Sequence, residues 1–399
     1  MCAQIEIKTV EHRSDLKKFI DFYYELYRDC AYAVPFLFGD EMKTLRSDRN
    51  PSFECCEACY FMAFKSGRMV GRIAAIINHR ANEKWGCKEV RFNWFDFVDD
   101  PEVSTALLDA AEKWGRERGM NEIAGPLGFT DMDREGMLIE GFDRLSTMYT
   151  NYNYPYYRQH IERLEGFAKD NDYLEYRIKI PEVAPLKFEK LSRMIETRYN
   201  LHVHKFTSDE LLNKGMGRRL FEIVNATYKD LYGYSELSDR QIDGLVNDYI
   251  RKADLNLVTA VVDGNRNNEM IGFGITFPSF SRALQKTRDG RLFPMGWWPL
   301  LRVLKWHKTD TVDLLLIGIL PEYRKKGANA LIFNDLIGRS HQYGFKWAEA
   351  MPQMESNTAV RNEWQYFDSQ QHRRHRCYRK EIGDTSNLSE GGRRLVNNR

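Results

Sequence analysis

The sequence predicts an α+β protein of mixed α/β layers: two tandem copies of one unit, each a mixed central sheet flanked by helices. Three observations predict it. A strand–turn–strand pattern occurs once in each half of the chain. Each hairpin is followed by a third strand, a helix and a fourth strand. Both of those helices stop at a glycine, Gly119 or Gly344.

The first copy opens with strands Tyr60–Phe64 and Met69–Ile77 around Lys65-Ser66-Gly67-Arg68. The second opens with Leu257–Val262 and Met270–Phe277 around a turn at 263–269. The return strands carry Gly71 and Gly272 after a β-branched residue. In the first copy, strand Phe92–Val98, a helix over 102–118 and strand Glu122–Ala124 follow; in the second, strand Val312–Leu320, a helix over 328–343 and strand Trp347–Ala350. Apolar residues recur at helical spacing in both helices, at Leu107, Ala111 and Trp114 and at Ala328, Ile332 and Leu336. Strand–helix–strand with a short return implies a right-handed parallel crossover. Two prolines in Pro181–Pro185 break regular structure. The expected organisation is a first domain over 1–180, a linker over 181–190, a second domain over 191–382 and a disordered tail over 383–399.

The chain has 399 residues and a formal net charge of +2, so no global basic field points to nucleic acid. No apolar window reaches membrane-spanning length, and the N-terminus lacks a signal-peptide pattern. Seven mostly isolated cysteines suit a reducing cytoplasm. Cys55, Cys56 and Cys59 lack a second pair for a zinc site and are read as small residues at a strand start; no metal is expected.

One loop carries chemistry. Leu320–Leu331 joins the third strand of the second copy to its helix. Helix N-termini present N–H groups without intrahelical partners and a positive dipole end. Gly327 permits close approach of an anion, and Arg324, Lys325 and Lys326 add positive charge. The first copy has Asp99-Asp100-Pro101-Glu102 at that place, and carboxylates there complement the dipole themselves and repel a phosphate. One copy is built for an anion and the other against it.

Leu320-Pro321-Glu322-Tyr323-Arg324-Lys325-Lys326-Gly327 and Glu355-Ser356-Asn357-Thr358-Ala359 resemble segments of the GNAT acyltransferase superfamily, with Asn329 where that superfamily favours Gly or Ala. The likeness covers 200–382 well and 58–150 through hairpin and helix. The whole arrangement resembles bacterial tandem-GNAT proteins. It implies that Ile317, Gly318 and Ile319 pair with a pantetheine arm, that Arg324, Lys325, Lys326, Gly327, Ala328 and Asn329 hold a pyrophosphate, and that Asn357 contacts the arm. It implies an acyl-CoA-dependent N-acyltransferase using acetyl-CoA or a longer acyl-CoA, with a small-molecule, lipid or peptide amine as acceptor. A donor on acyl carrier protein or aminoacyl-tRNA is a variant. The alternative is a non-catalytic ligand-binding or regulatory protein that keeps the fold. A general-acid tyrosine expected by the resemblance falls on Trp364, leaving Tyr366, two positions on, as the candidate; Asp313 and Glu349 are candidate bases.

Other features are weaker. Arg291–Trp306 is an aromatic, basic insert, expected as a helix packed on the domain interface; a pocket wall or a membrane-surface contact through Trp297, Trp298 and Trp306 are its functional readings. His202 and His204 alternate on a strand without a third ligand. Arg373–Arg376 is a candidate for an anionic substrate.

Overall fold

A computed structural model describes residues 4–383. The expected disordered tail, apart from Gly383, lies outside the described residues. The strands are β1 (Ile5–Thr9), β2 (Cys56–Lys65), β3 (Arg68–Asn78), β4 (Glu89–Phe97), β5 (Glu122–Gly125), β6 (Met137–Glu140), β7 (Ala168–Lys179), β8 (Leu201–His204), β9 (Val258–Asp263), β10 (Glu269–Pro278), β11 (Thr311–Ile319), β12 (Trp347–Met354) and β13 (Ser369–Glu381).

They form one 13-stranded sheet in the order β1-β2-β3-β4-β5-β13-β7-β12-β11-β10-β9-β8, with β6 beside β13. The two copies run outward from the centre. In each, the hairpin strands are antiparallel, and the third and fourth strands, β4/β5 and β11/β12, are parallel across a helix. Those crossover helices span Pro101–Arg116 and Asn329–Gln342. Each is followed by a left-handed glycine, Gly119 (φ 76°) and Gly344 (φ 75°), the conformation glycine adopts without strain. The return-strand glycines serve packing: a Cβ on Gly272 would stand 2.3 Å from Ile319 Cδ1, and one on Gly71 2.7 Å from Leu107 Cδ1.

The centre of the sheet ties the halves together. Strand β7 closes the first half of the chain yet pairs with β12 of the second, from Trp347↔Lys179 to Met354↔Tyr173. Strand β13 closes the second half yet pairs with β5 of the first, from Tyr378↔Gly125 to Glu381↔Glu122. The two also pair with each other, from Ser369↔Ile178 to Arg379↔Ala168. Hydrogen bonding therefore runs unbroken past segment 181–190, which itself enters a helix at Leu186.

The centre is also charged. Arg373 donates to Glu175 (2.7 Å) and Arg376 to Asp172 (2.7 Å), with both carboxylates fully buried. Buried ions need such partners. Arg373, Arg374 and Arg376, expected as anion-binding candidates, are instead committed to internal ion pairs. Burial raises the Glu175 carboxyl, but Arg373 and His375 outweigh it and hold it at about 2.

Around the second half of the sheet, helices Leu186–Tyr199 and Asn329–Gln342 pack on one face. Helices Met216–Tyr228 and Asp239–Asp248 pack on the other. The insert forms helix Trp297–Trp306, in which only Val303 is buried. It was expected to pack on the domain interface. Its preceding turn does so: Gln285 donates to the carbonyls of Ala31 and Ala33 (2.9 and 3.0 Å), and Arg291 to Asp21 (2.7 Å). The helix itself stays exposed, because its aromatic side chains find no cover.

Candidate functional site

Strands β11 and β12 hold four parallel pairs, from Thr311↔Trp347 to Leu314↔Ala350, and no further. Beyond them β12 shifts register against β7 between Ala350 and Gln353, where Pro352 lacks a backbone donor. On its other edge β11 carries a bulge: Leu316 pairs with Ile275 and Leu314 with Thr276, leaving Leu315 as the extra residue. The strands splay, and the β11 edge from Leu315 onward has no ladder partner on β12. A cavity of about 1150 Å³ fills the split, walled by Leu314–Ile319 on one side and Met351–Met354 on the other.

The expected anion loop opens into this cavity. Leu320 leads into a short helical turn, Pro321–Arg324, and Gly327 follows at φ 76°. The turn closes through Gly327 N–H to the Arg324 carbonyl (3.1 Å) and Ala330 N–H to the Gly327 carbonyl (2.9 Å). Among the described residues no hydrogen-bond acceptor is paired with the N–H groups of Ala328 and Asn329 at the start of the 329–342 helix. Such N–H groups, a left-handed glycine and a nearby lysine suit a phosphate.

The loop side chains divide. Arg324, Lys325, Gly327 and Asn329 line the cavity, as do Ile317, Gly318, Ile319 and Asn357. Arg324 is already engaged, donating to the carbonyls of Ile319 (3.2 Å) and Thr227 (3.1 Å) and so joining β11 to the 216–228 helix. Asn329 donates to Glu363 Oε1 (2.7 Å). Lys326 turns away, its ammonium 4.3 Å from the Tyr323 ring centroid, and neither it nor Ala328 is on the wall. The sequence expectation grouped Lys326 with the phosphate ligands; attraction to two tyrosine faces, Tyr323 and Tyr199, holds it elsewhere.

None of the three expected proton-transfer residues lines the cavity. Tyr366 is 39% exposed, with the Lys187 ammonium 3.3 Å from its ring centroid; the neighbouring Trp364 holds the wall, donating to Gln353 (2.9 Å). Asp313 and Glu349 lie side by side on β11 and β12 and belong to the buried central charges. Burial, with Glu349 adding to it, pushes Asp313 up to about 8. Burial, with Asp313 adding to it, raises the hydroxyl of Tyr149, which is on the wall.

The far part of the cavity was not foreseen. It is built by loop 131–135 of the first half, which brings Asp131, Asp133 and Glu135 to the wall beside Tyr149, Tyr173, Tyr228 and Tyr232. Asp131 Oδ1 and Glu135 Oε1 are buried and have no hydrogen-bond partner among the described residues. Burial raises both carboxyls, Asp131 against the pull of Arg91 and Glu135 to about 7 against a hydrogen bond with Tyr173 and the pull of Arg91. Two raised carboxyls facing one cavity are equipped to receive a cationic group or a proton. In sequence the run Asp-Met-Asp-Arg-Glu has no spacing that marks it as a cavity wall.

The equivalent split in the first half is closed. Strands β4 and β5 pair over three positions, Glu89↔Glu122 to Arg91↔Ala124, and then Leu127 N–H bonds the Phe92 carbonyl (2.8 Å). The short helix Tyr156–Glu162 covers the end of β4: the Phe97 N–H donates to Tyr157 Oη (3.0 Å) and the Phe97 carbonyl accepts from Tyr156 Oη (2.5 Å). The N-terminus of the 101–116 helix is capped by Asp100, which accepts from Glu102 N–H (3.0 Å) and pairs with Lys65 (2.7 Å).

Two other expectations have placements. His202 and His204 lie on β8, bonded to Asn200 (2.6 Å) and Glu210 (3.2 Å), and among the described residues no group of three or more His, Cys, Asp or Glu is arranged to hold a metal. Cys56 begins β2, and its hydrogen bond to Cys55 lowers the Cys55 thiol to about 6.

No protein-family model matches the chain. Among curated proteins it is 26% identical over 386 residues to Protein YghO of Escherichia coli K12, covering 94% of this chain and 95% of that one. It is 26% identical over 336 residues to a bacterial ceramide synthase of Caulobacter vibrioides, covering 81% and 82%. Among solved structures, a tandem GNAT protein from the clavulanic acid biosynthesis pathway superposes with a TM-score of 0.54 at 11% identity, covering 95% of this chain and 99% of that one. The chain has the tandem GNAT fold.

Proposed function

We propose that this tandem GNAT-fold chain is an acyl-CoA-dependent N-acyltransferase, with the donor cleft in its second half and the amine site at the junction of the halves. The observation that carries the reading is one cavity that runs from the Arg324–Asn329 loop, past the β11 bulge, to Asp131 and Glu135.

An acyl thioester supplies an activated carbonyl and a thiolate leaving group. The N–H of Asn329, with Lys325, holds the pyrophosphate, and the β11 edge from Leu315 to Ile319, which has no ladder partner on β12, hydrogen-bonds the arm. Backbone N–H groups at the bulge polarise the carbonyl. Asp131 and Glu135 bind the ammonium form of the acceptor, and Glu135 takes its proton; a carboxyl near 7 is matched to that task. The C–N bond forms as the C–S bond breaks; the nitrogen's second proton passes to the departing thiolate, and the proton held by Glu135 is released to solvent.

Apolar side chains of Phe221, Leu245, Ile250 and Phe277 line the same cavity, which fits an amine with an alkyl chain and a long acyl donor. The name of the Caulobacter relative, a ceramide synthase, supports N-acylation of a long-chain amine.

The test uses the full chain. Calorimetric titration with acetyl-CoA and palmitoyl-CoA is expected to show binding of both, the longer donor more tightly. Mixing palmitoyl-CoA with a long-chain 2-amino alcohol is expected to release one thiol per amide, read by a thiol reagent and mass spectrometry. Absence of donor binding overturns the reading; binding without any amide from a panel of amines favours the non-catalytic alternative.

A further inference from the structure

The insert between β10 and β11 leaves an apolar surface that nothing in the cavity uses. Phe293 is 81% exposed and Met295 63%, and Leu292, Trp297, Trp298, Leu304 and Trp306 are exposed beside them. Half of the large hydrophobic residues exposed in the described chain fall in this one stretch of sequence. The aromatics touch one another and little else: ring centroids are 5.7 Å apart for Trp297 and Trp298, and 5.9 Å for Trp298 and Trp306. A contiguous apolar surface of this kind marks a site of contact.

Its charge says what it contacts. Residues 281–308 contain seven Lys or Arg against one Asp, in a chain whose net charge is +2. Arg282, Lys286, Arg288, Arg302, Lys305 and Lys308 are exposed. Tryptophans ringed by cations suit the headgroup region of an anionic bilayer, where an indole is half apolar and half wet and Lys or Arg meets lipid phosphate. A helix of 10 residues is about 15 Å long, too short to span a bilayer and long enough to lie in its surface. Among the described residues no helix is long and apolar enough to cross a membrane.

The base of the insert is fastened by Arg291 to Asp21, and by the Phe38 N–H to the Gly290 carbonyl (3.0 Å). The aromatic surface is thereby presented on a rigid mount. The insert leaves the sheet after Pro278, next to Thr276 and Phe277 of the cavity wall, and β11 returns at Thr311. That is the opposite end of β11 from the Arg324–Asn329 loop.

We infer that helix Trp297–Trp306, with Phe293 and Met295, is a peripheral docking surface for anionic lipid membranes that sets the amine end of the cavity against the bilayer. Which end of the cavity faces the bilayer rests on the acyl-transfer reading; the docking itself is tested without catalysis.

The full chain is sedimented with phosphatidylcholine vesicles and with vesicles containing phosphatidylglycerol, at low and physiological salt, while tryptophan emission is recorded. Binding to the anionic vesicles, with a blue shift in emission and a decrease with salt, is expected. The variant Phe293→Ser/Trp298→Ser, whose side chains are on the surface, is expected to lose about tenfold or more in vesicle affinity and to keep its Tm and CoA binding. Arg302→Gln/Lys305→Gln/Lys308→Gln is expected to bind anionic vesicles severalfold more weakly and with a shallower salt dependence. No binding to anionic vesicles at low salt, or unchanged binding by the aromatic variant, overturns the proposal. So does concentration-dependent self-association that buries these tryptophans without vesicle binding, since the surface would then join two copies of the chain.

Discussion

The two splits between parallel strands are the same construction with opposite endings. At β4/β5 the protein fills the gap with its own side chains: Tyr156 and Tyr157 satisfy both backbone groups of Phe97, and Asp100 caps the following helix. At β11/β12 the strand edge has no ladder partner beyond Leu314, with Tyr228 Oη donating to the Ile317 carbonyl (3.1 Å) and Arg324 to that of Ile319 (3.2 Å); the following helix starts with unpaired N–H groups, and a cavity of about 1150 Å³ remains. The difference teaches that the fold does not by itself make a binding cleft. The cleft exists where the fourth strand turns away from the third and no carboxylate caps the following helix. The closed half is not idle, since its loop 131–135 supplies carboxylates to the open half.

The contrast can be broken most decisively at Gly327. Gly327→Val puts a β-branched residue at φ 76°, which L side chains rarely adopt; a Cβ there has room, its nearest neighbour being Leu191 Cδ2 at 3.5 Å, so the strain lies in the backbone. Loss of detectable CoA binding by calorimetry, with the circular dichroism spectrum retained, is expected. Wild-type affinity would mean that the loop does not cradle an anion. Lys325→Ala removes the loop lysine on the wall, and a charge-assisted contact of about 1.5–3 kcal/mol corresponds to a loss of about ten- to a hundredfold in affinity, smaller at high salt. Lys326→Ala, whose ammonium sits over Tyr323, should leave affinity nearly unchanged.

The closed half is expected to answer in stability and not in binding. Tyr157→Phe deprives the Phe97 N–H of its acceptor and Tyr27 of a partner at 2.8 Å. A cost of about 1–3 kcal/mol is expected from urea unfolding, with CoA affinity unaltered.

Glu135 sharpens the comparison through pH. Its folded value, about 7, lies above the ordinary 4.5 of a glutamate, so the neutral carboxyl is the form the fold favours. Its contribution to stability is complete below about pH 4.5 and is lost as pH rises through 7. Glu135→Gln should match wild type in Tm near pH 4.5 and exceed it by a few degrees above pH 7, while turnover falls and its rise through pH 7 flattens. The smallest effect is expected at Tyr366. Tyr366→Phe should change turnover less than about twofold, because an exposed hydroxyl off the cavity wall is no general acid; the drop of about a hundredfold usual for such a group would restore it to the mechanism.

Much of this architecture was legible in the sequence because it repeats. Hairpins, crossover helices and the glycines that end them follow from local pattern, and the helices lie within two residues of their expected ends. The anion loop was legible because a helix start is marked by charge and glycine. The central strands were not. Ser369–Glu381 reads Ser-Gln-Gln-His-Arg-Arg-His-Arg-Cys-Tyr-Arg-Lys-Glu, a polar run that alternation rules assign to a surface. Its Arg373, His375, Cys377 and Tyr378 are nevertheless buried, and Glu175 and Asp172, distant in sequence, neutralise Arg373 and Arg376. The direction of a charge was equally hidden: Lys325 and Lys326 are neighbours in sequence and diverge in space, because two tyrosine faces hold only the second.

The crossed placement of β7 and β13 has a consequence for how the chain is made. Strand β13 spans Ser369–Glu381 and pairs with β5 at Gly125, so the middle of the sheet cannot close until that strand has left the ribosome. Until then β5 and β7 expose unpaired edges, the condition that invites mispairing and aggregation. Contacts this remote in sequence slow folding, since a long loop must close before any of them forms. A nascent chain stalled before Ser369 would hold two half-built sheets, and a protein nicked within 181–190 should stay together as one body, zipped through its centre.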